Sequence, residues 1–378
     1  MKLVEKQVSK PFAVRYHGPA VNGARDLSEL ESRTGIPDWW KKTYDRKAKG
    51  IPKRRWESLM RKAQKSEVFD NIRKAKPGKS SRDCVSIDLL KFAVGTFTVE
   101  VSDGPQVWTD SPILQLLEKI VNKMLEAETL PGILKDGLIT MVPKDSIHIG
   151  MAEHMRPITL LHEFTKLTAR ILSNRIITIL DKFPDMLSTA QRAYLRNGSI
   201  HQCLQTAISV FEDSLEAESD LYVASYDVRK AFDSVQAYSI RAACERLNMP
   251  ETFILYILKT MDGARSAVFT HDGPTEYFEL MSGVRQGDPL SAILFILVID
   301  PLHEGLSKNP LYQGANDGYH MSKGKRTSVE KKVFKKRRRQ CELTAKDRRR
   351  VNMSLRSTPK IASAGFADDT MAFATEWD

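Results

Sequence analysis

Two short apolar segments of the chain each lead into aspartate. LYVASYDVRKAFDSV, at 221–235, contains Asp227, and ASAGFADDTMAFAT, at 362–375, contains Asp368 and Asp369. Short apolar runs bounded by turn residues predict strands, and a carboxylate at a strand end is a rigidly held oxygen ligand. Because magnesium prefers carboxylate oxygens, these strand ends brought together predict a site for two magnesium ions.

The basic charge of the chain is confined to one segment. The 378 residues carry a formal net charge of +11, and residues 320–350 alone hold fourteen lysines and arginines against three acids. The rest of the chain therefore balances to zero. A run so charged cannot bury a core, which predicts a flexible or disordered insertion. Its charge suits nucleic-acid phosphates or a nuclear localisation signal, with a solvated insertion as the alternative.

Composition excludes several classes of protein. The content of 42% hydrophobic and 28% charged residues is ordinary for a folded chain of two or three subdomains. The four cysteines lie too far apart for a CxxC zinc module and indicate no disulfide framework. The apolar run at 290–299 is about half as long as a membrane span requires, so no membrane partner is expected. The polar start of the chain, MKLVEKQVSK, predicts no signal peptide.

Hydrophobic spacing predicts the secondary structure. Apolar residues at helical spacing follow Pro112 and recur at 200–218, 235–247 and 251–261, while strand patterns occur at 136–144 and on either side of a turn at 271–274. Helices and strands are mixed without a regular βαβ repeat, and this indicates the α+β class.

In their order along the chain, these segments resemble the reverse transcriptases of non-LTR (LINE-like) retrotransposons. The matching segments are DGLITMVPK and MRPITLL for the first two fingers segments, STAQRAYLRNGSI for the third, SYDVRKAFDSV for motif A, SGVRQGDPLSAILFILVID for motif B and GFADD for motif C. An isolated pair of aspartates has little weight, whereas six matches in one order are specific.

The resemblance covers about residues 76–375 and implies an architecture. It implies the polymerase right-hand fold, with fingers at 76–205 and a palm at 206–378 that contains the basic insertion at 308–360. Residues 1–75 are predicted to form an N-terminal helical extension, to which the sequence assigns no function.

The implied activity is that of an RNA-directed DNA polymerase. Such an enzyme joins a dNTP to a primer 3′-hydroxyl by two-metal nucleotidyl transfer, with an RNA template and a DNA primer as partners. The implied cofactor is Mg²⁺, two ions, with Mn²⁺ as a substitute. The implied catalytic and metal-binding residues are Asp227, Asp368 and Asp369, of which Asp227 and Asp368 are the primary ligands and Asp369 is the weaker assignment. The expected location is the nucleus, with a cytoplasmic ribonucleoprotein as an addition, and the oligomeric state is left open.

The resemblance also assigns substrate contacts. Lys144 and Arg156 match residues that grip the triphosphate, Phe232 matches an aromatic ring that excludes a 2′-hydroxyl, and Gln286 and Gly287 lie near the nascent base pair. The implied nucleic-acid contacts are Gln191, Arg192, Arg196 and Arg285. Solvated surface charges and a core phenylalanine are the alternatives, and Asp233 and Asp288 are interpreted as helix caps.

The chain departs from the family pattern in its basic insertion and in its end at Asp378, soon after motif C. The sequence therefore predicts an incomplete domain, truncated after motif C and without a thumb, whose grip on primer and template is poor. An inactive RNA-binding remnant is the alternative. An RNA-templated RNA polymerase is a third reading, against which Phe232 and FADD argue.

Overall fold

The protein is described from a computed structural model. The described residues are 42–45, 47, 50–77, 81–83, 85–95, 97–101, 104–108, 111–144, 146–147, 154–228, 230–308, 319–321 and 360–374. They fall into two compact units, each made of segments distant in sequence. The first unit contains Arg46–Phe183 and Lys230–Phe295, and the second contains Glu31–Asp45, Pro184–Arg229 and Ile296–Asp378.

Helices make up much of the described chain. They are α1 (Lys53–Trp56), α2 (Lys65–Lys74), α3 (Ile87–Ala93), α4 (Pro112–Glu126), α5 (Gly132–Lys135), α6 (Glu163–Leu180), α7 (Ile200–Glu216), α8 (Ala231–Ser234), α9 (Ala237–Arg246), α10 (Glu251–Met261) and α11 (Pro289–Lys308).

The strands are shorter and lie between the helices. They are β1 (Phe97–Val101), β2 (Gly104–Trp108), β3 (Gly137–Pro143), β4 (Met155–Leu160), β5 (Tyr222–Asp227), β6 (Arg265–Thr270), β7 (Gly273–Pro274), β8 (Phe278–Glu279), β9 (Tyr319–His320), β10 (Lys360–Ile361), β11 (Ser363–Phe366) and β12 (Asp369–Ala374). Helices and antiparallel pairs alternate irregularly, so the predicted α+β class is confirmed.

Three helices, α2, α4 and α6, pack together in the core of the first unit. Helix α4 begins as predicted, since the Ser111 hydroxyl accepts a hydrogen bond from Ile113 N and Pro112 occupies the first turn. Helix α6 is buried on most of its surface. Its buried Arg175 donates to both carboxylate oxygens of Glu67 at 2.7 Å, so this buried charge is paired.

The sheet of the first unit has the strand order β4-β3-β6-β7, with β8 also paired to β6. Strands β3 and β4 are antiparallel, whereas β3 and β6 are parallel. Ile139 and Val268 are fully buried on one face, where they form a small apolar cluster. This contact between Ile139 of β3 and Val268 of β6 connects the β3–β4 hairpin to β6.

The second unit contains a three-stranded antiparallel sheet with the order β11-β12-β5. Helix α7 contacts β11, and Ala207 and Val210 of the helix cluster with Tyr319, Ala364 and Phe373. This cluster packs the β11–β12 hairpin against helix α7, and β5 lies at one edge of the sheet.

Helix α11 supplies residues to both units. It is the one helix in the described part of the chain that is long and apolar enough to cross a membrane, and 61% of that stretch is buried within the protein. Asp300 and His303 are fully buried on this helix, and Asp300 accepts a hydrogen bond from Ser188 N at 2.6 Å. Such burial is typical of the core helix of a folded protein. The apolar run at 290–299 is the first half of this helix, which continues through Asp300 to Lys308.

The domain boundaries predicted from the sequence differ from the two compact units, because each unit contains segments from both sides of residue 205. The assignment of fingers, palm and extension stays a prediction. The basic segment at 320–350 lies outside the described residues, apart from His320 and Met321.

Candidate active site

Two of the predicted aspartates lie opposite each other in the sheet of the second unit. Asp227 is the last residue of β5, and Asp369 is the first residue of β12. In the antiparallel register between these strands, Asp369 pairs directly with Asp227. Directly paired residues have Cβ atoms about 4.5–5.5 Å apart on one face of the sheet. Both side chains are exposed on that face.

The third aspartate lies at the tip of the adjoining hairpin. Phe366 pairs with Asp369, so Ala367 and Asp368 form a two-residue turn between β11 and β12. Ala367 has a positive φ of 58°, which such tight hairpin turns require and which glycine adopts most easily. The turn therefore sets Asp368 beside the Asp227–Asp369 pair.

The three carboxylates influence one another electrostatically. Burial raises the pKa of Asp369, and the charges of Asp368 and Asp227 raise it further. Burial also raises the pKa of Tyr194, and the charge of Asp368 adds to this effect. Burial is the larger cause of both shifts, and repulsion from the neighbouring carboxylates adds to it; a bound cation would relieve the repulsive part.

The site fits a magnesium ion only in part. No group of three or more histidine, cysteine, aspartate or glutamate residues in the described ranges is arranged to hold an ion by itself. Magnesium is usually held by one or two carboxylates together with water and substrate phosphates. Asp227, Asp368 and Asp369 supply such oxygens, so the donor set suits an open site completed by substrate.

The side chain of Gln191 is buried inside the second unit. Its side chain is 1% exposed, and its amide group bonds to the backbone of Ala367 and Ala193. The predicted template role is therefore corrected, because both polar ends of the side chain are used inside the protein. Arg192 is partly exposed and Arg196 is exposed, so their predicted contacts with nucleic acid stay predictions.

The first unit brings Lys144 and Arg156 to one end of the β3–β4 hairpin. Val142 pairs with Arg156, and Lys144 N donates to His154 O at 2.9 Å just beyond the paired strands. Both side chains are exposed. The hairpin thus presents two exposed cations at one end, and their predicted contact with a triphosphate stays a prediction.

Phe232 is a half-buried residue of α8. Its ring stacks on Phe295 with centroids 5.1 Å apart, and its carbonyl accepts a hydrogen bond from Val284 N at 2.8 Å. The ring is therefore held in a defined orientation without being fully covered. The interpretation of Asp233 as a helix cap is wrong, because Asp233 lies within α8, whose N-cap is Lys230, and the N-cap of the following helix α9 is Gln236.

The segment SGVRQGDPLS lies against β4 in the first unit. Thr159 N donates to Gln286 O at 2.7 Å, and a Cβ on Gly287 would approach Thr159 O to 2.5 Å. Gly287 also has a φ of 128°, so both the lack of space and the backbone conformation exclude a side chain at this position. Gln286 remains partly exposed. Asp288 accepts a hydrogen bond from Leu290 N at 2.9 Å, as predicted of a helix cap.

Arg285 is the second predicted nucleic-acid contact that the structure corrects. Its side chain is buried, with 7% exposure, and it donates to Lys135 O at 2.5 Å. A guanidinium committed to a protein carbonyl inside the fold is not displayed to phosphate.

Tyr194 is a residue near the aspartates that sequence reasoning did not single out. It is 46% exposed, has a positive φ of 57°, and interacts electrostatically with Asp368. The available signal was its place as the aromatic residue shortly after Gln191 in STAQRAYLRNGSI.

Comparison with known proteins places these motifs in a family. A family model described as reverse transcriptase (RNA-dependent DNA polymerase) matches residues 142–376, more than half of the chain. That range includes the aspartates of β5 and of the β11–β12 turn.

Curated relatives match about half of the chain. The Retrovirus-related Pol polyprotein from type-1 retrotransposable element R2 of Popillia japonica is 33% identical over 174 residues, which cover 45% of this chain and 23% of the relative. The corresponding polyprotein from type-2 retrotransposable element R2DM of Drosophila melanogaster is 28% identical over 187 residues, covering 50% and 17%. The chain thus spans about a fifth of the length of these relatives.

Among solved structures, telomerase from Candida tropicalis in complex with a TWJ fragment of telomeric RNA is similar. Its TM-score is 0.39 at 11% identity, over 77% of this chain and 44% of that one, and this similarity adds nothing to the assignment. The family model and the curated relatives carry the assignment. The chain belongs to the reverse transcriptase (RNA-dependent DNA polymerase) family, in the group from non-LTR retrotransposons.

Proposed function

We propose that this chain carries the catalytic aspartates of an RNA-directed DNA polymerase that joins a dNTP to the 3′-hydroxyl of a primer. The direct pairing of Asp227 with Asp369, with Asp368 in the adjacent turn, is the observation that supports this proposal best. Two acids directly paired in a sheet, with a third in the adjacent turn, repel one another in the absence of a cation, and this favours a role in binding one.

In this proposal the aspartates bind two Mg²⁺ ions, or Mn²⁺ in their place. When bound, the metal ions lower the pKa of the attacking hydroxyl and stabilise charge on the leaving phosphate oxygens. Asp227 and Asp368 contribute ligand oxygens from a strand end and a tight turn, which limits their movement. Asp369 supplies negative charge beside them, directly opposite Asp227 in the register between β12 and β5.

Lys144 and Arg156 are the proposed ligands of the incoming triphosphate. Both are exposed at one end of the β3–β4 hairpin, and Arg can engage phosphate oxygens in a bidentate manner. Gln286 and Gly287 complete the proposed nucleotide-binding set, since Gly287 permits close approach of the backbone. Phe232 is the proposed barrier to a 2′-hydroxyl, because stacking on Phe295 fixes the plane of its ring.

The proposed partners are an RNA template, a DNA primer and dNTPs. Arg192 and Arg196 are the cations of the second unit proposed to contact nucleic acid. The basic run at 320–350 supports the same nucleic-acid partners, because concentrated positive charge binds phosphate in a salt-dependent manner. The run also resembles a nuclear localisation signal, which supports a nuclear location.

Primer extension tests the proposal. The full chain is incubated with an RNA template, an annealed DNA primer, dNTPs and Mg²⁺, beside Asp368→Asn and the control Asp220→Asn, whose carboxylate is exposed in the same unit. We expect extension by the original chain and by the control, and a loss of at least a hundredfold in Asp368→Asn. Binding of RNA and primer without extension would contradict the proposed activity and support an RNA-binding remnant.

A further inference from the structure

We propose that Gln191 is a positioning residue that holds the turn carrying Asp368 in its left-handed conformation. The proposal rests on the proposed function, because the turn matters for catalysis only if Asp368 does. The Gln191 amide nitrogen donates to Ala367 O at 3.0 Å, and its amide oxygen accepts from Ala367 N at 3.0 Å. One side chain thus binds both backbone polar groups of a single turn residue.

The surroundings of Gln191 allow one orientation of its amide group. The amide oxygen also accepts a hydrogen bond from Ala193 N at 3.0 Å, so two backbone N–H donors converge on it. A flipped amide would direct its own N–H groups at those donors, which is unfavourable. With 1% of the side chain exposed, water cannot replace the lost partners.

The turn needs such support because of the residue that occupies it. Ala367 has a φ of 58°, a left-handed conformation that is unfavourable for a residue with a Cβ. Residues held in this region persist where the surrounding structure over-determines them. The two hydrogen bonds between the Gln191 amide and Ala367 provide that restraint, and the third, from Ala193 N, fixes the orientation of the amide.

The backbone around Gln191 is itself attached to β11. Gly365 N donates to Ala190 O at 2.9 Å, and Arg192 N donates to Gly365 O at 3.1 Å, so the segment 190–192 runs beside β11 as a short parallel bridge. On its other side, Gly365 lies so close to His303 that a Cβ would come within 2.5 Å of the imidazole Cε1. The loop that carries Gln191 and the strand that leads to the turn are therefore held in one register.

Loss of this restraint should affect Asp368 before it affects the fold. Catalytic groups must be held within about 0.5 Å of the productive geometry, and a turn with several accessible conformations cannot meet that limit. Gln191 touches neither substrate nor metal in this proposal, so it acts through Ala367 alone.

Amide hydrogen exchange on the full chain tests the restraint without any need for activity. Gln191→Met keeps the length of the side chain and removes all three hydrogen bonds, and Gln205→Met makes the same change on the exposed side of α7. We expect the Ala367 amide hydrogen to exchange on the order of tenfold faster in Gln191→Met, with no change in Gln205→Met. Equal exchange of Ala367 in the original chain and in Gln191→Met would overturn the proposal.

Gln191→Glu separates positioning from general packing. Glutamate keeps an oxygen for the Ala367 and Ala193 N–H groups and loses the donor to Ala367 O, so exchange at Ala367 should lie nearer to that of the original chain than in Gln191→Met. If both variants exchange equally fast, the acceptor role is wrong and the proposal is overturned.

Binding of Mn²⁺, followed by electron paramagnetic resonance, connects the turn to the aspartates. We expect at least threefold weaker binding in Gln191→Met and unchanged binding in Gln205→Met. Unchanged binding in Gln191→Met, beside measurable binding in the original chain, would overturn the link to Asp368. If the original chain binds no Mn²⁺, the metal site that the proposed function requires is wrong. The hydrogen-exchange rates still test whether Gln191 restrains Ala367.

Discussion

Asp369 lies directly opposite Asp227 in the antiparallel ladder between β12 and β5. Like charges at directly paired positions destabilise a sheet, and such pairs are normally avoided. Asp368 adds a third negative charge in the turn that precedes β12. The sheet face therefore carries an electrostatic cost in the absence of a cation, and this cost is measurable.

Asp369→Asn should stabilise the protein in the absence of metal. Removal of the charge opposite Asp227 relieves a repulsion that we place at about 0.2–1 kcal/mol in the free energy of unfolding. Urea unfolding with a chelator present measures it. Asp220→Asn, an exposed acid of the same unit, is the control and should change little. A less stable Asp369→Asn variant would show that the pair does not repel as its register indicates.

Phe232→Val should admit ribonucleotides. The ring is oriented by stacking on Phe295 at 5.1 Å, and a smaller side chain leaves room for a 2′-hydroxyl. We expect the preference for dNTPs over rNTPs to fall at least tenfold, measured as the ratio of kcat/KM values. Phe269→Val on β6, where the ring is 53% exposed, is the matched control. An unchanged ratio in Phe232→Val would leave this ring as a core residue only.

Gly287→Ala should destabilise the first unit by about 2 kcal/mol or more. Its Cβ would come within 2.5 Å of Thr159 O, in a backbone conformation with φ of 128°. The cost would appear as a lower urea midpoint. Gly132→Ala serves as the control, because no atom lies within 4 Å of its added Cβ. If the two variants were equally stable, the close approach of this segment to β4 would be wrong.

The carboxylate of Asp83 should make the free energy of unfolding depend on pH at pH values below the ordinary pKa of aspartate. Burial raises the pKa of Asp83, but hydrogen bonds from His162 and Ser81 outweigh it, and the pKa lies below 3.8. His162 Nδ1 is 2.6 Å from one carboxylate oxygen and Ser81 Oγ is 2.8 Å from the other. A folded-state pKa that is lowered gives stability above the unfolded-state value, and this is lost as pH falls through the folded-state value.

The comparison of the original chain with Asp83→Asn isolates this contribution. The difference in urea midpoint between them should shrink as pH falls below about 3.8, because only the original chain loses a carboxylate charge at this position. Other carboxylates titrate in both proteins and cancel. A difference that is constant down to pH 3 would mean that the Asp83 charge contributes nothing to folding.

Local features of the site could be predicted from sequence. The strand that ends at Asp227, the turn at Asp368 and the cap at Asp288 depend on residues close together in the chain, and each occurs where its pattern indicates. The α+β class follows from the same local patterns, and the right-hand polymerase class follows from membership of the family.

The burial of polar residues could not be predicted in this way. Gln191 and Arg285 stand in polar segments that resemble nucleic-acid contacts, yet both side chains are buried on backbone carbonyls distant in sequence, at Ala367 and Lys135. A polar side chain that satisfies a distant backbone group has the same local sequence as one that faces solvent.

The sequence alone therefore determined which residues end strands and turns, because local propensity and spacing act over a few residues. Only the tertiary structure decided that Asp227 pairs with Asp369 and that Gln191 restrains Ala367. Strand register and buried hydrogen bonds depend on packing between segments more than a hundred residues apart, such as the 176 residues between Gln191 and Ala367. The sequence motifs identify the aspartates as candidate metal ligands, and the fold determines their positions relative to one another.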